Sequence, residues 1–139
     1  MVIDANIIFA ALIREGLTAE LIISDELQLF APEFLLEEIS KYQDQIFEKT
    51  HRSKEEFEIF VQMLNEYITF IPQKNINPFF EKANLFSPDP KDSVYLALAL
   101  ALKSAVWSND KKLKEEQFQV KVLSTEDLIN KTKILKKNK

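Results

Sequence analysis

The sequence predicts an α/β protein: a three-layer α/β/α sandwich around a mostly parallel central sheet. Three observations predict it. Short apolar runs alternate with stretches of helical periodicity along the chain, the pattern left by parallel strands joined through helical crossovers. One helical stretch, Val94 to Leu102, is apolar nearly all round, which places it between layers. The 139 residues, 46% of them hydrophobic, contain no low-complexity linker or internal repeat and suit one packed domain. That domain is expected over 1–130, followed by a Lys-rich tail over 131–139.

The elements follow in order. Met1–Asp4 is a short buried strand, and Ala5–Arg14 has helical periodicity stopped by Gly16, the chain's single glycine. Thr18–Ser24 reads as a second short helix and Leu27–Phe30 as a strand. Pro32 opens a helix to about Lys49, with Phe34, Leu35, Ile39, Tyr42 and Ile46 on one face. Ser53-Lys-Glu-Glu56 is a capping box that starts the next helix, whose inward positions are Phe57, Phe60, Val61 and Leu64. Tyr67–Ile71 is a strand closed by Pro72, and a loop with a short helix near Pro78–Phe86 leads to the buried helix, which ends near Lys103. Ala105–Ser108 is a strand, Lys111–Glu116 a helical turn or two, and Gln119–Leu123 a strand. Ser124 or Thr125 caps a last helix, with Asp127 at the capping-box position. His51 is expected at the surface, and Trp107 and most of the phenylalanines in the core.

Composition excludes several chemistries. There is no cysteine, hence no disulfide scaffold, thiolate metal site or cysteine nucleophile. A single histidine excludes the two-imidazole zinc sites of many hydrolases. One glycine excludes Gly-rich phosphate loops. The longest apolar run is well short of the roughly 20 residues that span a bilayer, and the N-terminus reads as a strand and not an export segment, so a cytoplasmic chain without membrane contact is expected. The net charge of −4, with pI ≈ 5.1, argues against wrapping duplex DNA by bulk charge. Five lysines in the last nine residues hide a stronger asymmetry, since without them residues 1–130 carry −9. The tail is expected to be a solvated terminus.

Acidic residues at strand ends carry the chemistry. Asp4 ends the first strand, and Asp110 lies just past Ala105-Val-Trp-Ser-Asn. Asp92 leads the buried helix, with Asp89 one turn earlier, and Glu37 and Glu38 lie early in the Pro32 helix. In parallel sheets, functional groups gather beyond the carboxyl ends of the strands. Carboxylates converging there repel one another unless cations neutralise them, and an oxygen-only set without histidine suits Mg²⁺ or Mn²⁺. Each acid taken alone also has a structural reading: helix cap for Asp92 and Asp110, helix-dipole partner for Glu37 and Glu38.

Four segments in chain order now resemble the signature segments of the PIN domain: Val2-Ile-Asp-Ala-Asn6, Pro32-Glu-Phe-Leu-Leu-Glu-Glu-Ile39, Asp89-Pro-Lys-Asp-Ser-Val-Tyr-Leu-Ala-Leu-Ala and Trp107-Ser-Asn-Asp110. The resemblance runs from residue 1 to about 125. It implies a metal-dependent endoribonuclease, of the class that includes the toxins of toxin–antitoxin pairs. By resemblance the catalytic and metal-holding acids are Asp4, Glu38, Asp92 and Asp110, with Glu37 as the fallback for Glu38. Asn6 and Ser108 match the small polar positions that orient them, and Asp89 is an accessory ligand. RNA is the implied substrate, and a protein antitoxin and a second copy of the chain are the implied partners. The chain departs from the pattern at Lys111 and Lys112, where many relatives carry a further acid. The acidic pI also works against RNA binding unless lysines such as Lys91, Lys111 and Lys112 rim the cleft. Two other readings compete: a catalytically silent PIN-fold module for RNA binding or assembly, and a phosphohydrolase with an aspartyl nucleophile. The second is disfavoured by Asn6, which stands where a further aspartate is usual.

Overall fold

The computed structural model describes residues 1–13 and 16–131. Arg14, the expected end of the first helix, and positions 132–139 of the Lys-rich tail lie outside the described residues. Five strands form one sheet: β1 (Val2–Ile3), β2 (Leu29–Pro32), β3 (Ile68–Ile71), β4 (Val106–Trp107) and β5 (Val122–Leu123). Their order is β3-β2-β1-β4-β5, and every pair is parallel. Neighbouring residues of a strand face opposite sides of the sheet, and Val2, Ile3, Val106 and Trp107 are all fully buried. Both faces of the sheet are therefore covered, as an all-parallel sheet requires.

Nine α-helices are seen among the described residues. Between β1 and β3 lie α1 (Ala5–Ile13), α2 (Leu17–Ile22), α3 (Phe34–Lys41), α4 (Gln43–Thr50) and α5 (Lys54–Tyr67). After β3 come α6 (Gln73–Phe86), α7 (Ser93–Leu102), α8 (Lys111–Glu115) and α9 (Thr125–Lys131). The path winds outward from β1 to β3, then crosses to β4 on the other side of β1. Right-handed crossovers put the helices of these two legs on opposite faces. Helix α7 packs against β1, β2 and β4 and is buried from Ser93 to Ala99, the position its all-round apolar pattern predicts. No helix among the described residues is long and apolar enough to cross a membrane.

Side-chain hydrogen bonds fix several boundaries. The Ser53 hydroxyl accepts from the Glu56 N–H at 3.1 Å and Glu56 Oε1 accepts from the Ser53 N–H at 3.2 Å, the predicted capping box. Ser124 and Asp127 form the same reciprocal pair at the start of α9, and Asp127 also takes the Lys114 ammonium. The C-terminal carbonyl of Leu12 in α1 is satisfied by Arg52 Nε at 3.1 Å. Buried Gln117 uses both ends of its amide on the backbone of Leu113 and Val120, turning the chain from α8 toward β5.

Several expectations are corrected. Pro32 ends β2 and opens no helix. The single helix expected to Lys49 is two, broken at Tyr42 (φ −99°, ψ 14°). No proline or glycine marks that break; it turns the Tyr42 ring edge-on to Phe9 (6.2 Å, 84°) and lets α4 pack on α1 through buried Ile46. Helix α6 begins at Gln73, five residues before Pro78. Pro78 removes one backbone hydrogen bond, yet buried Ile76 and Ala83 on either side hold the helix along α7, so tertiary packing overrides the local penalty. Tyr67 closes α5 instead of opening β3, and β5 covers only Val122–Leu123 of the stretch expected as strand. His51 is exposed and Trp107 buried, as expected, but Phe34, Phe80 and Phe118 are 43%, 39% and 91% exposed and are not core.

Helix α7 ends on exposed Lys103, held in the left-handed region at φ 52°, ψ 48°. A side chain there costs about 1 kcal/mol relative to glycine. Lys103→Gly is expected to raise the thermal midpoint by roughly 2–5 °C, read by circular dichroism. A lower midpoint would show that the lysine stem contributes more packing than its backbone costs.

Candidate active site

The winding of the sheet reverses at β1, and β4 is the neighbour across that switch point. Ligands of open parallel sheets bind in the crevice at the strand C-termini there. Asp4 directly follows β1 and Ser108 directly follows β4, and the Ile3–Trp107 register brings the two side by side. Ser108 Oγ donates to Asp4 Oδ2 at 2.7 Å and accepts from the Asp110 N–H at 3.1 Å. One hydroxyl thus orders the acids following two strands. The pair is deep, with Asp4 4% and Ser108 1% exposed. Asn109, between Ser108 and Asp110 in the chain, clasps Thr125 through its amide, and the Trp107 indole N–H donates to the same Thr125 hydroxyl at 3.0 Å, tying the β4 end to α9.

Glu38 arrives from α3, after β2, and its Oε1 accepts from the Tyr95 hydroxyl at 2.8 Å. Tyr95 lies on α7 three residues beyond Asp92, hence on the same face of that helix. Asp92 ends a 3₁₀ turn (Pro90–Asp92), whose start is capped by Asp89 through the Lys91 N–H at 2.9 Å. Asp92 stands at the N-cap position of α7 but makes no side-chain hydrogen bond to it. The capping explanation therefore fails for this carboxylate. For Asp110 it succeeds, since Oδ1 accepts from the Lys112 and Leu113 N–H groups at 2.9 and 3.4 Å, so this residue caps α8 at the edge of the site.

The acids lie in one another's field. Burial first, then the charges of Asp4, Asp110 and Asp89, push the Asp92 carboxyl up to about 7, against the pull of Lys91. Burial raises Glu38, with Asp4 adding to the rise and the Tyr95 hydroxyl and the lysines Lys41 and Lys91 opposing it. Asp4 is raised by burial and by Asp110, against the Ser108 hydroxyl and the Ala5 and Asn6 N–H groups. The Tyr95 phenol is raised by burial and by Glu38, Asp4 and Asp92. As placed, no three acidic or histidine side chains among the described residues are grouped tightly enough to hold one ion together. They share an electrostatic field and not a ligand shell.

Asp4, Glu38, Asp92 and Asp110 thus meet at one edge. Asn6 and Glu37, both exposed, line a neighbouring cleft of about 660 Å³. Asp89 is exposed and acts on Asp92 through charge while capping the turn. Of the three lysines named as a basic rim, Lys91 lines this neighbouring cleft, while Lys111 and Lys112 are exposed at the start of α8 beside Asp110. Sequence reasoning missed Tyr95, Lys41 and the aromatic walls of the cleft. For Tyr95 a signal existed, the three-residue spacing from Asp92 on a helix.

A comparison with curated proteins returned no match. A family profile described as the PIN domain matches residues 2–133. The match spans nearly the whole chain, including the all-parallel sheet and the acids at its C-terminal edge, and the chain belongs to the PIN domain family.

Proposed function

We infer that this chain is a Mg²⁺- or Mn²⁺-dependent endoribonuclease that hydrolyses RNA phosphodiester bonds. Membership of a family whose members are generally nucleases supports hydrolysis of nucleic acid. The observation that carries the reading is the convergence of four carboxylates from four chain segments, each of Asp4, Glu38 and Asp92 raised by burial and by a neighbouring acid. Folding tolerates such repulsion where function requires it.

In donor chemistry the set suits a hard divalent cation, being all oxygen with excess negative charge, and the acids would have to draw closer than they stand to share one ion. Asp4, Glu38, Asp92 and Asp110 would hold it, and when bound such an ion supplies a water of lowered pKa and neutralises charge on the transferring phosphate. Ser108 keeps Asp4 oriented and favours its ionised form. Tyr95 does the same for Glu38, its raised phenol remaining a donor at any working pH. Lys41 and Lys91 offer positive charge to phosphates on the cleft side. Under the same proposal the chain acts as a toxin restrained by a protein antitoxin, a role that rests on the family resemblance.

Unpaired RNA of mixed sequence should be cut in Mn²⁺ or Mg²⁺ and left intact in EDTA. Cutting undiminished by EDTA would overturn the metal dependence. Absence of both cutting and Mn²⁺ binding by calorimetry would favour the silent RNA-binding or assembly module.

A further inference from the structure

The cleft beside the acids is walled by rings. Phe9 of α1, Phe34 of α3, Tyr42 at the α3–α4 junction and Phe80 of α6 all line it, and Asn6, Glu38 and Lys91 join it to the acidic edge. Phe34, Tyr42 and Phe80 are 43%, 36% and 39% exposed. Three large aromatic side chains part-open to water around one concavity form a contiguous apolar surface suited to a ligand. Tyr42 is held in place, its ring edge-on to Phe9 with the Lys41 ammonium 5.5 Å from the ring centroid. Phe34 and Phe80 approach from different helices.

Resting on the nuclease reading, we propose that this cleft takes an unstacked nucleobase of a single-stranded RNA, packed on Phe34 and Phe80, while Lys41 and Lys91 meet the flanking phosphates. Three features select this occupant. Aromatic walls stack on bases irrespective of sequence. The lysines supply charge complementary to a phosphate backbone in an otherwise acidic region. The cleft adjoins the acids, so the base it holds is close along the strand to the phosphate they address. A base in a duplex has both faces covered by its neighbours, so the protein selects unpaired RNA.

The test is binding of a fluorescein-labelled 12-nucleotide single-stranded RNA by anisotropy, in EDTA and again with Ca²⁺ to neutralise the acids. The same sequence as a duplex and an abasic ribose-phosphate 12-mer serve as comparison probes. Phe34→Leu and Phe80→Leu keep apolar bulk at part-exposed positions and remove only the ring face; Phe118→Leu, outside the cleft, is the control, and circular dichroism checks that all fold. Each cleft variant should lose roughly tenfold or more in affinity for the single strand. Neither should change binding of the abasic probe, and Phe118→Leu should match wild type. Wild type should prefer the single strand to the duplex. Unchanged affinity in both cleft variants, equal binding of duplex, or no binding of any probe in either buffer overturns the proposal. Cleavage in Mn²⁺ is scored separately. Cutting by wild type with unchanged binding in the variants removes the cleft and keeps the nuclease, and ring-dependent binding without cutting does the reverse.

Discussion

Asp4→Asn is expected to lower RNA cleavage in Mn²⁺ by at least ~10³-fold, roughly 4 kcal/mol of transition-state stabilisation, while the chain stays folded. Asp4 is the hub of the site: its charge is felt by Glu38, Asp92 and Tyr95, and it is bound to the Ser108 hydroxyl that also holds the Asp110 backbone. Asparagine keeps the shape and an oxygen to accept from Ser108, and it removes the charge a divalent cation requires. The carboxylate it replaces is 4% exposed and raised by burial, so the neutral amide relieves repulsion in the metal-free protein. The thermal midpoint in EDTA should therefore stay close to that of wild type, the relieved repulsion offsetting the acceptor oxygen lost toward the Ala5 and Asn6 N–H groups. Paired cleavage and circular dichroism measurements decide the matter. A folded variant cutting at the wild-type rate would remove Asp4 from the mechanism, and a variant that fails to fold would make its role structural.

Stability should depend on pH in the sense opposite to that of most acid-rich proteins, and Mn²⁺ should cancel the dependence. The Asp92 carboxyl titrates near 3.8 when unfolded and near 7 when folded. Below the first value both states hold the proton and the residue adds no pH dependence. Between the two, the unfolded chain has released its proton and the folded chain retains it, so the unfolded state binds fewer protons and unfolding becomes easier as pH rises. Above about 7 the loss is complete. Glu38 and Asp4 are raised as well and act in the same direction. Because Asp92 is half-exposed, solvent screens the effect to on the order of 1–2 kcal/mol, or roughly 3–8 °C in midpoint. Asp127, lowered to about 2 by the Lys114 ammonium and the Ser124 N–H, acts oppositely, favouring the fold above its unfolded value and losing that as pH falls toward 2. In EDTA the midpoint should thus peak near pH 4–5 and fall toward pH 7. Added Mn²⁺ should raise it at pH 7.5 and leave it nearly unchanged at pH 4.5, where protons compete for the same oxygens. Scanning calorimetry across this range is the check, and a midpoint that rises from pH 5 to 7 in EDTA would sink the account.

Much of the fold is legible because it rests on local rules. The capping boxes at Ser53 and Ser124 depend on residues three apart, and the burial of α7 depends on an apolar run that no solvated helix could carry. The break at Tyr42 and the passage of α6 through Pro78 were not legible. Both are decided by partners distant in sequence: Phe9 and α1 for Tyr42, α7 for α6. Phe34 and Phe80 show the same limit, since helical spacing says which residues share a face but not whether anything covers it.

The sequence by itself determined the class of the fold and the placing of acids at strand ends, because alternation of apolar runs and helical periods is a property of neighbours along the chain. It also singled out Asp4 and Asp110, since a residue just past a parallel strand has one edge to occupy. What only the tertiary structure decided is how those acids meet: the hydroxyl of Ser108 joining Asp4 to Asp110, Tyr95 holding Glu38, and Asp92 released from its capping role into the field of Asp4. Hydrogen bonds between residues 57 and 104 positions apart follow from strand register and helix docking. Charge repulsion and burial act through space, so no reading of neighbours along the chain contains them.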